Sequence, residues 1–430
     1  MERLFNDGWQ FVKLPSGSCL MAAESAAWRA VDLPHDFLIA RENNLYETAD
    51  GWYRRTLAVP EGWLSKAVIL RFDGVYMDCD VLLNGEILCT HHYGYTCFDV
   101  ELTGHLRAGE NTLHVHIRHQ SPNSRWYSGA GIYRDVTLHV LESRHIALDG
   151  TYVTTSRQGE DWTLTVETEL TGEGPDQPVV HRLLDGEAVI GEVHAHINGS
   201  SAHAEMTVLN PRLWSVNAPC CYTLETICGT QVIRENVGFR EIEVTTDSGL
   251  FVNDEHVKLH GVCLHHDLGC LGSAFNVVVA RRQLQAMKEM GVNSLRTSHN
   301  PPAKQMMGLC DEMGILVVDE AFDMWQHPKT TYDYARFFDT DAASDVAAWV
   351  RRDRNHPCLL RGAIGNEIGD TNKQPEQAAK VTQMLCENVR KHDPKGNAAT
   401  TIGSNYMPWA GAQKCAQFVE AVGYNYGEKL

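Results

Sequence analysis

One short pattern occurs twice in the chain and limits the folds that its C-terminal half can adopt. Residues 289–298, EMGVNSLRTS, and residues 312–320, EMGILVVDE, each place a glycine between the end of an amphipathic segment and a short apolar run. Apolar residues precede each glycine at the spacing of one helix face: Leu284 and Met287 in the first unit, and Met306, Leu309, Cys310 and Met313 in the second. Such a glycine is typical of a helix C-terminus. Helix–strand units in series predict a parallel sheet.

Six segments after residue 245 have the length and composition of parallel strands: VKLHGVCL, VNSLRT, ILVVDE, LLRGAIGN, ATTIG and FVEAVGYN. Six strands are most of a (β/α)₈ TIM barrel, in which the residues just past the strands form the active site. A doubly wound sheet is the alternative, but it usually carries a Gly-rich phosphate turn after its first strand, and GVCLHHD is not one. We therefore predict that residues 246–430 form the first six βα units of a barrel.

The first 245 residues have the pattern of β-structure. VYMDCDVLL, residues 75–83, alternates apolar and polar residues and ends in Asn84-Gly85, a strong hairpin signal. LHVHIR, residues 113–118, repeats the alternation, and WTLTVETEL does so in a second segment of about a hundred residues. We predict a β-sandwich over residues 1–143 and an immunoglobulin-like β-sandwich over residues 144–245.

Charge and cysteine content restrict the partners and the compartment. The formal net charge of -18 disfavours binding to nucleic acid or to an anionic membrane, so an uncharged substrate is expected. MERLFNDGWQ at the N-terminus has no basic segment followed by an apolar stretch, and no stretch has the apolar length that spans a bilayer. The 13 cysteines follow no repeated spacing. We expect a cytoplasmic protein with mostly reduced thiols.

Polar and titratable residues follow five of the predicted strands. They are His265 and His266, then Arg296 to Asn300, then Asp319 and Glu320, then Asn366 and Glu367, and finally Asn425 and Tyr426. A structural strand end needs only a turn, so this repeated placement predicts one functional pocket at the carboxyl ends of the strands.

Two groups of residues are candidate metal sites. Residues 256–270 contain His256, His260, Cys263, His265, His266 and Cys270, but without the paired spacing of a closed zinc site. Asp319, Glu320 and Glu367 offer oxygen ligands for a hard cation, but no further ligands accompany them. We expect no metal and no other cofactor.

Paired-carboxylate chemistry accounts better for these residues. A carboxylic acid such as Glu367, held among apolar neighbours, has a raised pKa and can protonate a leaving oxygen. Asn366 can hydrogen-bond a hydroxyl beside the reacting carbon, in an interaction that strengthens as charge develops. Glycoside hydrolysis needs this arrangement.

Long, ordered motifs resemble glycoside hydrolase family 2, the family of β-galactosidases and β-glucuronidases. LPHDF, GWYRR, FDGVYMDCDVLLNG and WYSGAGIYRDV are similar to its N-terminal sugar-binding jelly roll. NSLRTSHNPP and DRNHPCLLRGAIGNE resemble its two barrel signatures, the second of which ends on the acid/base glutamate. The resemblance implies three regions: a jelly roll, an immunoglobulin-like sandwich and a TIM barrel.

The resemblance also implies roles for individual residues. Glu367 is implied as the general acid/base and Asn366 as the contact to the sugar 2-hydroxyl. The remaining implied sugar-pocket residues are His299, His265, Asp319, Glu320 and Tyr426. The branch that cleaves terminal β-D-galactosides with retention fits best, because SHNPP and IGNEIGD resemble it, whereas glucuronidases usually have Pro where this chain has Ile368. The magnesium of some β-galactosidases is not implied, since Phe322 stands at its histidine position.

Two departures from the family accompany these motifs. The family has tryptophan five residues before the acid/base, where this chain has Gly362 after Arg361. The family nucleophile is a glutamate at the end of the seventh strand, and only six strands are found here. Glu428 lies nearer to that place than the other acids. We expect an inactive N-terminal part of a longer enzyme.

Alternatives remain at this point: a β-glucuronidase of the same family, or a carbohydrate-binding protein without catalysis. Open edges on the first and sixth strands favour pairing with another copy of the chain.

Overall fold

The structure is a computed structural model that describes residues 1–40, 44–405 and 414–427. In the described residues, the N-terminal region contains one short helix, α1 (Leu20–Glu24), and twelve strands. The strands are β1 (Glu2–Leu4), β2 (Trp9–Leu14), β3 (Arg29–Val31), β4 (Ala49–Val59), β5 (Ala67–Phe72), β6 (Val75–Tyr76), β7 (Cys79–Leu83), β8 (Glu86–His91), β9 (Phe98–Glu101), β10 (Gly109–His119), β11 (Gly131–Ile132) and β12 (Val136–Leu141).

Two antiparallel sheets share one apolar core in this region. One has the strand order β1-β12-β5-β9 and the other β3-β2-β4-β10-β7-β8, while β11 and β6 form a separate pair. Leu113, Val115 and Ile117 of β10 are fully buried in the core, as their alternation predicts. The Asn84-Gly85 hairpin is also confirmed, since Leu83 pairs with Glu86 across the turn.

The single strand predicted over residues 75–83 is wrong. The segment forms β6 and β7, which belong to different sheets. Asp78 lies between them with a φ of 60° and accepts hydrogen bonds from Arg118, at 3.0 Å from Nε and 2.6 Å from Nη2. The left-handed backbone at Asp78 interrupts the ladder, and the charged contact holds it there.

The second β-region also consists of two antiparallel sheets, ordered β13-β14-β18-β17 and β16-β15-β19-β20. The strands are β13 (His145–Gln158), β14 (Asp161–Thr171), β15 (Val179–Asp185), β16 (Ala188–His194), β17 (His196–Asn198), β18 (Ser201–Val208), β19 (Tyr222–Cys228) and β20 (Gln231–Val237). Trp162, Leu164 and Val166 are buried in its core, as predicted. A small sheet of β21 (Ile242–Thr245), β22 (Gly249–Val252) and β23 (Glu255–His256) follows and crosses the predicted boundary at residue 245.

The C-terminal region is one parallel sheet whose six strands lie in chain order. The strands are β24 (Gly261–Leu264), β25 (Ser294–Thr297), β26 (Leu316–Glu320), β27 (Leu359–Asn366), β28 (Ala399–Ser404) and β29 (Ala421–Tyr424). The helices are α2 (Val277–Glu289), α3 (Lys304–Met313), α4 (Phe338–Asp353), α5 (Asp370–Lys373) and α6 (Pro375–His392), with 3-10 turns at Gly269–Leu271, Tyr334–Arg336 and Cys415–Gln417. A further 3-10 turn, Glu61–Trp63, belongs to the N-terminal region.

The repeat that predicted this sheet is present in the structure. α2 and α3 end just before the glycines, and Gly314 takes the left-handed conformation, with a φ of 66°, that suits a helix end. All six predicted strands pair in parallel. The order never reverses, which excludes the doubly wound alternative. The strands curl as part of a barrel.

The N-terminal region packs onto the carboxyl-end loops of the barrel strands. An aromatic cluster joins the two and includes Tyr93 and Tyr133 on one side and Phe322 and Trp325 on the other. The Tyr93 hydroxyl donates to the Ala321 carbonyl. The loops of the first region are therefore fixed beside the predicted pocket.

The remaining sequence predictions concern the fold types, the domain boundaries, membrane-spanning segments and the cysteines. The jelly-roll and immunoglobulin-like assignments and the domain boundaries stay predictions. Within the described part of the chain, no helix combines the length and apolar character needed to cross a membrane. None of the 13 cysteines, all of which lie in the described residues, takes part in a disulfide.

Candidate active site

Arg296, on β25, connects the polar residues at the ends of four strands. Its Nε donates to Glu320 Oε1 at 2.6 Å, its Nη2 to Asn366 Oδ1 at 2.7 Å and its Nη1 to Asn425 Oδ1 at 2.9 Å. Because the strands are parallel, their carboxyl ends meet at one edge, and a single guanidinium can bind three of them.

Glu367 lies at this edge, directly after β27. Its backbone N–H donates to the Gly403 carbonyl at 2.7 Å, and its φ is 47°. Asn425 Nδ2 donates to Glu367 Oε1 at 2.9 Å, and the Tyr426 hydroxyl also hydrogen-bonds the carboxylate. The backbone hydrogen bond fixes the position of Glu367. Its side chain is 14% exposed, so part of the carboxylate remains accessible to a ligand.

The pKa of Glu367 differs in direction from the sequence prediction. Burial raises it, but the hydrogen bonds from Asn425 and Tyr426 and the charges of Arg125 and Lys329 outweigh burial, so the pKa lies below its usual value. The prediction assumed apolar neighbours. The structure instead surrounds Glu367 with donors and cations, which stabilise the carboxylate.

Histidines and a tryptophan line the side next to Glu320. His299 Nδ1 lies 2.5 Å from Glu320 Oε2, and Glu320 is almost fully buried. The Trp126 ring centroid is 4.6 Å from that of His265 and 5.7 Å from that of His299. Burial lowers the pKa of His265, which favours the neutral ring.

Asp319 is not brought into this group. It is fully buried on the opposite side of β26, where Trp349 Nε1 donates to its Oδ2 at 2.5 Å. Burial and the neighbouring Asp353 raise the pKa of Asp319. Adjacent residues of a strand point to opposite faces, so Glu320 faces the pocket and Asp319 faces α4. Tyr426 lies at the pocket rim and is 55% exposed, whereas Glu428 falls outside the described residues.

Four residues of the site were missed by the sequence analysis: Arg125, Trp126, Asp323 and Lys329. Asp323 Oδ1 accepts from Arg125 Nη2 at 2.5 Å and from Lys329 Nζ at 2.9 Å, and Arg125 Nη1 lies 3.8 Å from Glu367 Oε2. The available signal was the adjacent arginine and tryptophan, Arg125-Trp126, within the N-terminal motif NSRWYSGAGIYRDV. The pattern of polar residues directly after predicted strands was followed only in the C-terminal half of the chain, so it could not indicate Arg125.

The residues of the two metal alternatives do not gather as ligand sets. Across the described residues, the side chains close enough to share an ion are Asp311, His356 and Cys358, which belong to neither alternative. Asp311 already accepts from His356 Nδ1 at 2.6 Å and from the Cys358 N–H at 3.0 Å. This cluster is a buried hydrogen-bonded ion pair.

Gly362 is covered by Trp349 of α4. A Cβ atom at position 362 would lie 3.2 Å from Cη2 and 3.5 Å from Cζ2 of the Trp349 ring. β27 pairs with both neighbouring strands despite the unusual Arg361-Gly362 sequence. An indole from the adjacent helix therefore packs where the resemblance implies an indole on the strand.

Family models match two parts of the chain. The model described as glycosyl hydrolases family 2, sugar binding domain, matches residues 11–142, and that described as glycosyl hydrolases family 2, TIM barrel domain, matches residues 242–400.

Individual relatives agree with these matches. The chain is 39% identical to the β-galactosidase BoGH2A of Bacteroides ovatus over 401 residues, which is 85% of this chain and 46% of the relative. It is 32% identical to a putative β-glucuronidase of Formosa agariphila over 399 residues, which is 88% of this chain and 38% of the relative. The chain thus spans about half, or less, of these curated relatives.

A solved structure of a glycosyl hydrolase family 2 member from Bacteroides cellulosilyticus superposes with a TM-score of 0.91 at 30% identity, covering 100% of this chain and 59% of that one. Together with the two family models, this likeness shows that the chain belongs to glycoside hydrolase family 2.

Proposed function

We propose that Glu367 is the general acid/base of a retaining glycosidase that acts on terminal β-D-galactosides. The observation that carries this proposal is the partly exposed Glu367 carboxylate beside Asn366 at the strand ends: Asn425 donates to both side chains, and Arg296 donates to Asn366. In the first step Glu367 gives its proton to the departing oxygen, and in the second it takes a proton from the attacking water.

The other polar residues bind the sugar. Asn366 contacts the 2-hydroxyl, while His299, His265 and Tyr426 contact the remaining hydroxyls. Glu320 acts through His299 and Arg296, and Asp319 supports the wall from behind through Trp349. Support comes from the hydrogen bonds that fix Glu320, His299 and Asp319 in one orientation.

The nucleophile is proposed to come from outside the described residues. Retention needs a second carboxylate about 5–5.5 Å from the acid/base, on the opposite face of the sugar. The nearby Glu320 is bonded to Arg296 and His299, and Asp323 to Arg125 and Lys329. Neither is free to attack the anomeric carbon. The described residues alone therefore do not suffice for hydrolysis of β-galactosides.

The charge balance of the pocket favours a neutral sugar over a glucuronide. Its three cations, Arg125, Lys329 and Arg296, face the three carboxylates Asp323, Glu320 and Glu367. A glucuronate carboxylate needs a cation that is not already paired. Relatives named β-glucuronidases make the glucuronide the second candidate.

Binding of methyl β-D-galactoside and methyl β-D-glucuronide to the chain, measured by isothermal titration calorimetry, tests this proposal. We expect tighter binding of the galactoside, and several-fold weaker binding to Asn366→Ala, because the 2-hydroxyl loses its partner. Arg54→Met, far from the pocket, is the control. Preference for the glucuronide would contradict the substrate assignment. Binding that Asn366→Ala leaves intact would favour a sugar-binding surface elsewhere.

Three further features belong to the proposal. The regions are a jelly roll over 1–143, an immunoglobulin-like sandwich over 144–245 and a TIM barrel from 246, supported by the sheet pairing. The protein is cytoplasmic, in keeping with its free thiols. The free edges of β24 and β29 favour association with a second copy.

A further inference from the structure

Arg125 extends from the N-terminal region to the catalytic edge of the barrel. Its Nε and Nη2 donate to the two oxygens of Asp323, at 2.9 and 2.5 Å, in a bidentate pair. Its third nitrogen, Nη1, lies 3.8 Å from Oε2 of Glu367. The planar guanidinium is thus held in one orientation by Asp323 and presents its free side to Glu367.

Asp323 in turn connects this arginine to the strand that carries Glu367. It is 2% exposed, and it accepts from Lys329 Nζ at 2.9 Å and from Asn366 Nδ2 at 3.3 Å. Lys329 Nζ also donates to the Asn366 carbonyl at 2.8 Å. A shift of Arg125 would therefore disturb the residue that precedes the catalytic glutamate.

The loop that carries Arg125 is anchored on its C-terminal side by Asp36. The Asp36 carboxylate accepts from the Tyr127 hydroxyl at 2.6 Å, from the Ala130 N–H at 3.1 Å and from the Ser273 N–H of the barrel at 2.9 Å. Gly129 has a φ of 69°, and a Cβ there would lie 2.0 Å from Ser273 Oγ. Only glycine permits this close approach.

The same loop is anchored on its N-terminal side as well. Asn123 Oδ1 accepts from the Tyr76 hydroxyl at 3.1 Å, and the Pro122 carbonyl accepts from the Tyr332 N–H of the barrel at 2.9 Å. Contacts from both regions thus flank Arg125, which is the arrangement expected of a side chain that must be placed accurately.

We propose that Arg125 is a positioning residue for Glu367: it orients the carboxylate and stabilises its charged form, so that the acid/base is complete only when the N-terminal region is docked. The role of Glu367 rests on the proposed function, but the ionic contact does not. The charged and titratable groups that act directly on Glu367 are Arg125, Lys329 and Tyr426, and the more distant ones are Asp323, Arg296 and Glu320.

Titration of Glu367 in the whole chain tests this proposal without any need for turnover. The side-chain carboxyl carbon is followed by ¹³C NMR with labelled glutamate, and its signal is assigned by its loss in Glu367→Gln. Removing a nearby cation destabilises the carboxylate, so we expect the titration midpoint to shift to higher pH in Arg125→Met and by less in Arg125→Lys. Arg54→Met, which breaks the Arg54–Glu24 ion pair in the same region, should leave the midpoint unchanged.

The outcomes separate this proposal from the proposed function. An upward shift confined to the Arg125 variants supports the positioning role even if the chain binds no galactoside. An unchanged midpoint in Arg125→Met, or an equal shift in Arg54→Met, would overturn it. If Arg125→Met does not fold, as judged by circular dichroism, the Arg125→Lys midpoint decides, because the shorter lysine cannot make the bidentate pair.

Discussion

The Trp349 indole occupies the space beside Gly362, and substitutions at both positions test this packing. Gly362→Trp would force a second indole against the Trp349 ring, so we expect a loss of about 1–3 kcal/mol in the free energy of unfolding. Trp349→Ala leaves a cavity and, when added to Gly362→Trp, should restore part of that stability. Urea unfolding of the two single variants and the double variant measures the coupling. If the stability loss of the double variant equals the sum of the two single losses, the two side chains do not compete for the same space.

At the residue scale, most residues predicted to share a pocket lie close together, but not every orientation was predicted. Glu367, Asn366, Glu320 and His299 were predicted from their places at strand ends, and the structure gathers them. Asp319 was grouped with Glu320, although the two-residue period of a strand turns neighbours to opposite faces. The pKa direction of Glu367 was missed for another reason: its cations come from segments that no local pattern connects to β27.

Asp345 joins helix α4 to the N-terminal region and makes their contact dependent on pH. It accepts from the Thr96 hydroxyl at 2.6 Å and from the Tyr334 hydroxyl, with His92 and Asp341 close by. Burial raises its pKa to about 7. Between about pH 4 and pH 7 the folded state keeps a proton that the unfolded state has released, so stability falls as pH rises, by up to about 1.4 kcal/mol per pH unit.

Asp345→Asn removes this titration while keeping a side chain that can bond both hydroxyls. We expect the melting temperature of the native chain, relative to that of Asp345→Asn, to decrease from pH 4.5 to pH 7.5. Differential scanning fluorimetry across this range provides the measurement, and Asp339→Asn on the same helix is the exposed control. The same change of melting temperature with pH in the native chain and in Asp345→Asn would contradict the assignment.

At the element scale, regular units were predictable and interruptions were not. The two helix–glycine–strand repeats carry their own start and stop signals, so β25, β26, α2 and α3 followed from the sequence. The break between β6 and β7 at Asp78 did not, because the alternation continues through it. Its cause is the tertiary contact with Arg118, which is forty residues away in the chain.

The whole molecule is an assembly in which the N-terminal region completes the barrel site. The order of regions and the parallel sheet could be predicted, since each follows from local periodicity. The approach of Arg125 to Glu367 spans 242 positions and depends on how the regions dock. Composition and spacing carry no signal for such a contact. This explains why the sequence indicated the strand-end residues around Glu367 but not Arg125.

The central claim, that Glu367 is an acid/base awaiting a second carboxylate, is tested by supplying an external nucleophile. With azide and a phenyl β-galactoside, the azide nitrogen would bond the anomeric carbon as the phenolic oxygen leaves with the Glu367 proton. The single inversion would give the α-galactosyl azide. Because the lowered pKa of Glu367 leaves little acid form at neutral pH, the rate should rise as pH falls.

The measurement is the initial rate of phenol release with and without azide, together with the rate of α-galactosyl azide formation when azide is present, for the native chain and Glu367→Gln. We expect an azide-dependent rate that falls about 10²–10⁴-fold in Glu367→Gln for the phenyl galactoside. The rate should hardly change for a dinitrophenyl galactoside, whose leaving group needs no proton. Glu367-dependent hydrolysis without azide would show that the chain holds its own nucleophile. Equal rates in Glu367→Gln, or no product with either substrate, would contradict the account.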